Sequence, residues 1–188
     1  MLSFNVAQLL KEGVGATRHH VLSGDLNDLD ECNPGATPVE GQLDMVRTPK
    51  GVLVQGHVYL TMQATCRRCL AMFERELDLF VEEEYIATID LVTGLRLKLD
   101  DDAEPELLID EHHTLDTREV LRQYAVAATV EPGLCRPDCR GLCPQCGADL
   151  NVETCSCHLA HVDPRLSALA GLLGDADAAQ APERKPQP

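Results

Sequence analysis

Nine cysteines are the residues of this chain whose type and spacing could do chemistry. Six of them lie in one short stretch, as Cys135-x3-Cys139-x3-Cys143-x2-Cys146 followed by Cys155-x-Cys157. Its centre reads Gly141-Leu142-Cys143-Pro144-Gln145-Cys146-Gly147, the pattern of a zinc knuckle. A two-residue gap lets both thiolates reach one ion, and the glycine after the second cysteine lets backbone amides turn toward the sulfurs. Zinc takes four ligands in a tetrahedron, with Zn–S about 2.3 Å. The knuckle supplies Cys143 and Cys146. Two more must come from Cys135, Cys139, Cys155 and Cys157, with His158 and His161 as weaker candidates. Spacing favours Cys139, Cys143 and Cys146 with Cys155 or Cys157, although six thiols compete for four places. A closed, all-cysteine site is structural, because a catalytic zinc keeps an open position and commonly has His or carboxylate ligands.

A second pair, Cys66-Arg67-Arg68-Cys69, falls between two runs of strand-like alternation. Three readings stay open. It is a redox dithiol, although the βαβ context and helix N-terminus that such dithiols use are missing. It is the other half of a CxxC…CxxC zinc site with Cys143 and Cys146. Or it is a tight hairpin carrying small apolar thiols. Cys32 stands alone in a polar stretch. Arg136 and Arg140 flank the thiols of the C-terminal module and could offset the negative charge of a metal tetrathiolate.

The 188 residues suit one domain with appendages or one domain plus a small stapled module. Hydrophobic residues make up 44% of the chain and aromatics 3%, with no tryptophan, so the core is aliphatic. Scarce aromatics count against a single-strand nucleic-acid binder built on base stacking. The formal net charge of −15 repels polyanions from the chain as a whole and favours a basic protein as partner. No signal peptide is visible in residues 1–20, and no apolar run approaches the ~20 residues of a transmembrane helix. A cytoplasmic protein is expected, and in a reducing cytosol nine cysteines argue for metal thiolates over disulfides.

The elements that must position the thiols are mostly strands. Residues 3–12 suggest a short amphipathic helix and residues 23–37 a polar, turn-rich connector. From Val39 the apolar period becomes two. Val39, Leu43 and Met45 alternate with polar neighbours, then Val52, Val54, Val58, Leu60, Met62 and Ala64, then Phe73, Leu77, Leu79, Val81 and Tyr85. Three such runs joined by short turns predict an antiparallel β-meander, a small barrel-like sheet. Residues 100–106 form an acidic loop, and 107–109 a short strand. A helix follows, capped by Asp116 with Glu119 three residues on, its apolar stripe formed by Val120, Leu121, Tyr124, Ala127 and Ala128. Packed on the sheet, it makes the fold class α+β with a C-terminal Cys-rich zinc-knuckle module. The expected divisions are 1–37 for the N-terminal helix and connector, 38–131 for the α+β core, 132–173 for the metal module with a short helix opened by Asp163 and Pro164, and 174–188 for a disordered tail.

The runs CRRCL at 66–70, C-x3-C-RGLCPQCGADLN at 135–151, CSC at 155–157 and DPRLSAL at 163–169 together resemble the YceD-like family, over about residues 38–173. The GLCPxCGxxLN segment is the most specific part. The resemblance implies a cytoplasmic factor in accumulation of 23S ribosomal RNA, hence in large-subunit biogenesis, with no catalytic residues to carry over. It implies a basic large-subunit ribosomal protein, the 23S rRNA precursor, or both as partners. Arg67, Arg68, Arg136 and Arg140, with Arg165, could then form a local basic patch toward RNA. No membrane or small-molecule partner is indicated, and no GxSxG, P-loop, HExxH or Rossmann fingerprint is present. The alternative is a thiol redox enzyme or redox sensor using Cys66 and Cys69.

Overall fold

A computed structural model describes residues 1–91, 93–99, 103–129 and 133–157. The chain opens with β1 (Ser3–Asn5) and α1 (Ala7–Lys11). Four long strands follow: β2 (Thr17–Asn27), β3 (Ala36–Arg47), β4 (Gly51–Thr65) and β5 (Met72–Ala87). After a 3₁₀ turn at Pro105–Leu107 come β6 (Leu108–Ile109), β7 (Thr114–Asp116) and α2 (Arg118–Thr129). The fold is mostly sheet, curled as a half-barrel, with few helices.

Strands β2 to β5 pair in chain order, each antiparallel to the next, and β6 adds at the β5 edge in parallel. Their faces follow from the alternation of side chains along a strand. Leu22, Leu43, Met45, Val54, Val58, Val81 and Tyr85 share the inward parity and are buried. The outward parity carries Asp25, Glu40, Asp44, Glu74, Glu76, Asp78, Glu82 and Glu84. These four strands contain three Lys or Arg residues, Arg18, Arg47 and Arg75, and all three sit on the inward parity. Arg47 and Arg75 bond the carbonyls of Leu10 and Ala128. The charged residues on the outward face of these strands are therefore all acidic, histidines aside.

Two glycines let β3 and β4 approach closely. Gly41 lies opposite Val58, and Gly56 opposite Leu43. A Cβ at Gly41 would fall 2.4 Å from the His57 carbonyl oxygen, and one at Gly56 would fall 2.0 Å from that of Gln42. The neighbouring backbone thus occupies the space of a side chain, which is the role glycine takes where strands bend or approach closely.

Helix α2 covers the inward face with Val120, Leu121 and Ala125. Tyr124 donates its hydroxyl to Glu83 at 2.9 Å. The helix begins at Arg118, whose N–H donates to the Asp116 carboxylate at 3.0 Å, while Thr117 donates its hydroxyl to Leu2 at 2.8 Å.

The N-terminal expectations are corrected. Ser3–Asn5 is a strand paired with β7, and the helix is confined to Ala7–Lys11. The stretch 23–37 contains the end of β2 and the start of β3 rather than a connector alone. Only Leu22 and Leu26 of β2 are buried hydrophobics. An edge strand with so few apolar anchors reads as a polar loop, and pairing to β3 along its whole length makes it a strand. The acidic loop at 100–102 and everything from residue 158 onward, including His158, His161, Arg165 and the expected 163–173 helix, lie outside the described residues.

His20 packs against Phe4 with ring centroids 5.2 Å apart. Burial, with Arg18 and His19 close by, holds its pKa below the ordinary 6.5. A histidine depressed in the folded state contributes stability that is complete above 6.5 and is lost as pH falls below it, because the unfolded chain then takes up the proton first. Urea midpoints measured at pH 7 and pH 5.5 should therefore fall less in His20→Asn than in the native chain. An identical fall in both would show that His20 plays no part.

Candidate metal centres

The β4–β5 hairpin ends in the turn Cys66-Arg67-Arg68-Cys69. Its backbone closes on itself: the Cys66 N–H donates to Ala71 at 2.9 Å, and the Leu70 N–H to Cys66 at 3.0 Å. Leu70 adopts φ +59°, the left-handed turn that brings backbone amides round toward the first sulfur. The second turn repeats this pattern. The Cys143 N–H donates to Ala148 at 2.8 Å, the Gly147 N–H to Cys143 at 2.9 Å, and Gly147 has φ +75°. Glycine reaches that conformation without steric cost, whereas leucine is held in it by the hairpin.

The eight cysteines of these segments form two groups of four. Cys66, Cys69, Cys135 and Cys139 make the first, and Cys143, Cys146, Cys155 and Cys157 the second, with the sulfurs of each group within 4.8 Å of one another. In the first, Cys66 Sγ is 3.8 Å from Cys139 Sγ and Cys69 Sγ is 3.6 Å from Cys135 Sγ. Disulfides need sulfurs about 2.05 Å apart. A tetrahedron with bonds of about 2.3 Å has edges of ~3.8 Å. The sulfurs therefore already stand at the spacing of ligands around one ion. Either group could hold a metal ion.

Electrostatics agree with that fit. Backbone N–H groups of Cys135 and Cys69, aimed at Cys66, hold its thiol down to about 6. Those of Cys146 and Gln145 do the same for Cys143, also to about 6. Burial and the neighbouring sulfurs push Cys135 up to about 12, and the hydrogen bond with Cys146, with burial, pushes Cys157 up to about 12. Each group so pairs one thiol held low with another pushed high, Cys66 with Cys135 and Cys143 with Cys157, and a cation among the sulfurs would relieve the repulsion between like charges there.

The two groups differ in setting. In the first, Cys66, Cys69 and Cys139 are buried and pack with Phe73, Leu134 and Leu142. This group ties the segment from Gly133 onward to the hairpin tip, helped by bonds from the Arg67 N–H to Gly133, the Leu142 N–H to Arg68 and the Arg68 guanidinium to Cys139. In the second only Cys143 is buried, and Cys146 is exposed. Asn151 ties its own stretch to the first group. Its amide donates to Cys139 Sγ at 3.5 Å, and its oxygen accepts from the Arg140 N–H at 2.8 Å and from Arg136 at 2.9 Å. Asn151 was not singled out in the sequence. Its one signal is its place in the GLCPxCGxxLN run.

The set favoured by spacing is divided between the two groups. Cys139 stands with Cys66, Cys69 and Cys135, and both Cys155 and Cys157 stand with the knuckle pair. Cys66 and Cys69 do not share a group with Cys143 and Cys146. Cys32 is exposed and belongs to neither group. Arg67, Arg68, Arg136 and Arg140 are all exposed, on the turns that carry the cysteines. No described helix is long and apolar enough to cross a membrane.

No solved structure gives a significant match to the chain. It is similar to proteins of Mycobacterium bovis and Mycobacterium tuberculosis, each described as uncharacterized, at 33% identity over 126 residues. That match spans 66% of this chain and 57% of those relatives. The family model described as large ribosomal RNA subunit accumulation protein YceD matches residues 54–173, a span that contains both cysteine groups and most of the β4–β5 hairpin, and the chain belongs to that family.

Proposed function

We propose that this chain is a non-catalytic factor in large ribosomal subunit biogenesis, built around two structural zinc ions, that works by binding a basic ribosomal protein, ribosomal RNA, or both, in the cytoplasm. Membership of a family named for accumulation of the large ribosomal RNA carries the reading. Zinc is the metal that an S₄ tetrahedron of this spacing suits best among redox-inert ions. The charge distribution suggests how one molecule serves two partners. The acidic sheet face fits a basic protein, while Arg67, Arg68, Arg136 and Arg140 gather on the turns around the metal groups, where they fit phosphates.

Grouping of Cys66 and Cys69 with Cys135 and Cys139 favours ligands over a redox dithiol. Lysate pull-downs at increasing salt test the reading. The full chain should retain large-subunit precursors or a ribosomal protein at low ionic strength. Replacing Arg67, Arg68, Arg136 and Arg140 together by Glu should remove the RNA-dependent part. If nothing ribosomal is retained even at low salt, the proposal fails.

A further inference from the structure

The chain has six aromatic residues, three Tyr and three Phe, and no tryptophan. Two of them, Tyr59 and Phe80, lie on the solvent face of the sheet on adjacent strands, each 53% exposed. A scarce aromatic side chain left in water on a sheet that has a well-filled opposite face calls for a reason. His57 stands between them, stacked on Tyr59 with centroids 6.4 Å apart and tilted against Phe80 at 5.3 Å. The His57 ring is held by Asp78, Nδ1 to Oδ1 2.8 Å. Register places the His57–Phe80 pair between two rows that carry carboxylates: Glu40, Tyr59 and Asp78 on one side, and Asp44, Gln55 and Glu82 on the other.

The same face is hollow. Lined in part by Gly41 and Gly56, a trough of about 750 Å³ runs over His57, Tyr59 and Phe80. A second of about 610 Å³ adjoins it through Glu40 and Tyr59. Alternating aromatic faces and carboxylates, with no Lys or Arg on the outward parity of β2 to β5, match one chemistry. A guanidinium stacks flat on an aromatic ring while its N–H fork pairs with carboxylates. Phosphates would be repelled, and so would the identical face of a second copy.

We infer that this trough is a docking site for an extended, arginine-rich segment of a protein partner. The inference deepens the proposed function and rests on its reading of a basic partner. It adds the surface, the side chain recognised and the residues that recognise it.

Titrating the full chain with a fluorescein-labelled 12-residue peptide of alternating Arg and Thr, at 150 mM salt, tests it. The ring resonances of Tyr59, His57 and Phe80 should move in NMR spectra. The double variant Tyr59→Ser with Phe80→Ser, on an exposed face and so expected to fold, should bind at least tenfold more weakly, with an unchanged melting temperature as the control. Removing two carboxylates elsewhere, Glu111→Gln with Glu153→Gln, should leave affinity within twofold. Equal weakening in both variants, or unmoved ring resonances, would show attraction to net charge only and overturn the inference. The lysate experiment separates the two proposals. If the Tyr59/Phe80 variant still retains large-subunit material as the native chain does, the docking site falls and the proposed function stands. Should the native chain bind the peptide through the trough yet retain nothing ribosomal, the docking site stands and the proposed function falls.

Discussion

Purified from a zinc-replete host, the chain is expected to carry two metal ions, and both Cys66→Ser and Cys143→Ser are expected to carry one. Elemental analysis against protein concentration reads this directly. The expectation follows from the division of eight thiols into two separate groups of four. A serine hydroxyl at one corner cannot replace a thiolate around zinc, so each variant should lose its own ion and keep the other. Retention of two ions in either variant, or one ion in the native chain, would show that the groups do not act as separate centres.

The two variants should differ in what else they lose. The first group bridges residues 66 and 73 positions apart in sequence, and the second is local. Cross-links that close long loops restrict the unfolded chain most. Structural zinc binding in zinc-finger peptides has an apparent free energy of about 10 kcal/mol or more. Cys66→Ser should therefore free the segment from Gly133 onward from the hairpin tip and expose it to protease. Cys143→Ser should loosen only the outer group and leave residues 133–142 protected. Chelator should likewise strip the more exposed second group first.

Gly56→Val should abolish folding or cost about 3 kcal/mol or more, the upper range for forcing atoms into a packed site. Valine's Cβ would stand where the Gln42 carbonyl now lies, 2.0 Å away, and the obstacle is backbone of a paired strand rather than a movable side chain. Relief requires β3 and β4 to separate, with loss of ladder hydrogen bonds beside Leu43 and Val58, two fully buried core residues. Urea unfolding, with the midpoint falling at constant m-value, is the measurement. Loss of less than about 0.5 kcal/mol, the level of an ordinary surface change, would mean that the sheet flattens freely there. Gly56 also lines the trough over His57 and Phe80, so a folded Gly56 variant should also bind the arginine peptide less well.

Much of this protein is legible in its residues. The apolar parity from Val39 to Tyr85 is the parity that the sheet buries, because period-two burial is local and every strand declares it through its own side chains. Helix α2 is legible from a 3.6-residue stripe with an acidic start, although Ala125 is buried where the stripe had Ala127, which is exposed. So are the two C-x2-C pairs, since the bite of a chelating pair is set by the residues between its sulfurs.

What the sequence could not decide is which cysteine pairs come together in a group that could hold a metal ion. That depends on distance through space, and it is settled by the hairpin tip: long β4 and β5 carry Cys66 and Cys69 to where the chain leaving α2 delivers Cys135 and Cys139. With those two thiols taken, Cys155 and Cys157 are the ones left to face Cys143 and Cys146. Tertiary pairing alone likewise makes β1 and β2 strands, because their partners, β7 and β3, supply the hydrogen bonds and burial that their own polar sequences do not announce. The exposed row of His57, Tyr59 and Phe80 is of the same kind: three unremarkable positions on two strands become one surface only when the register lays them side by side.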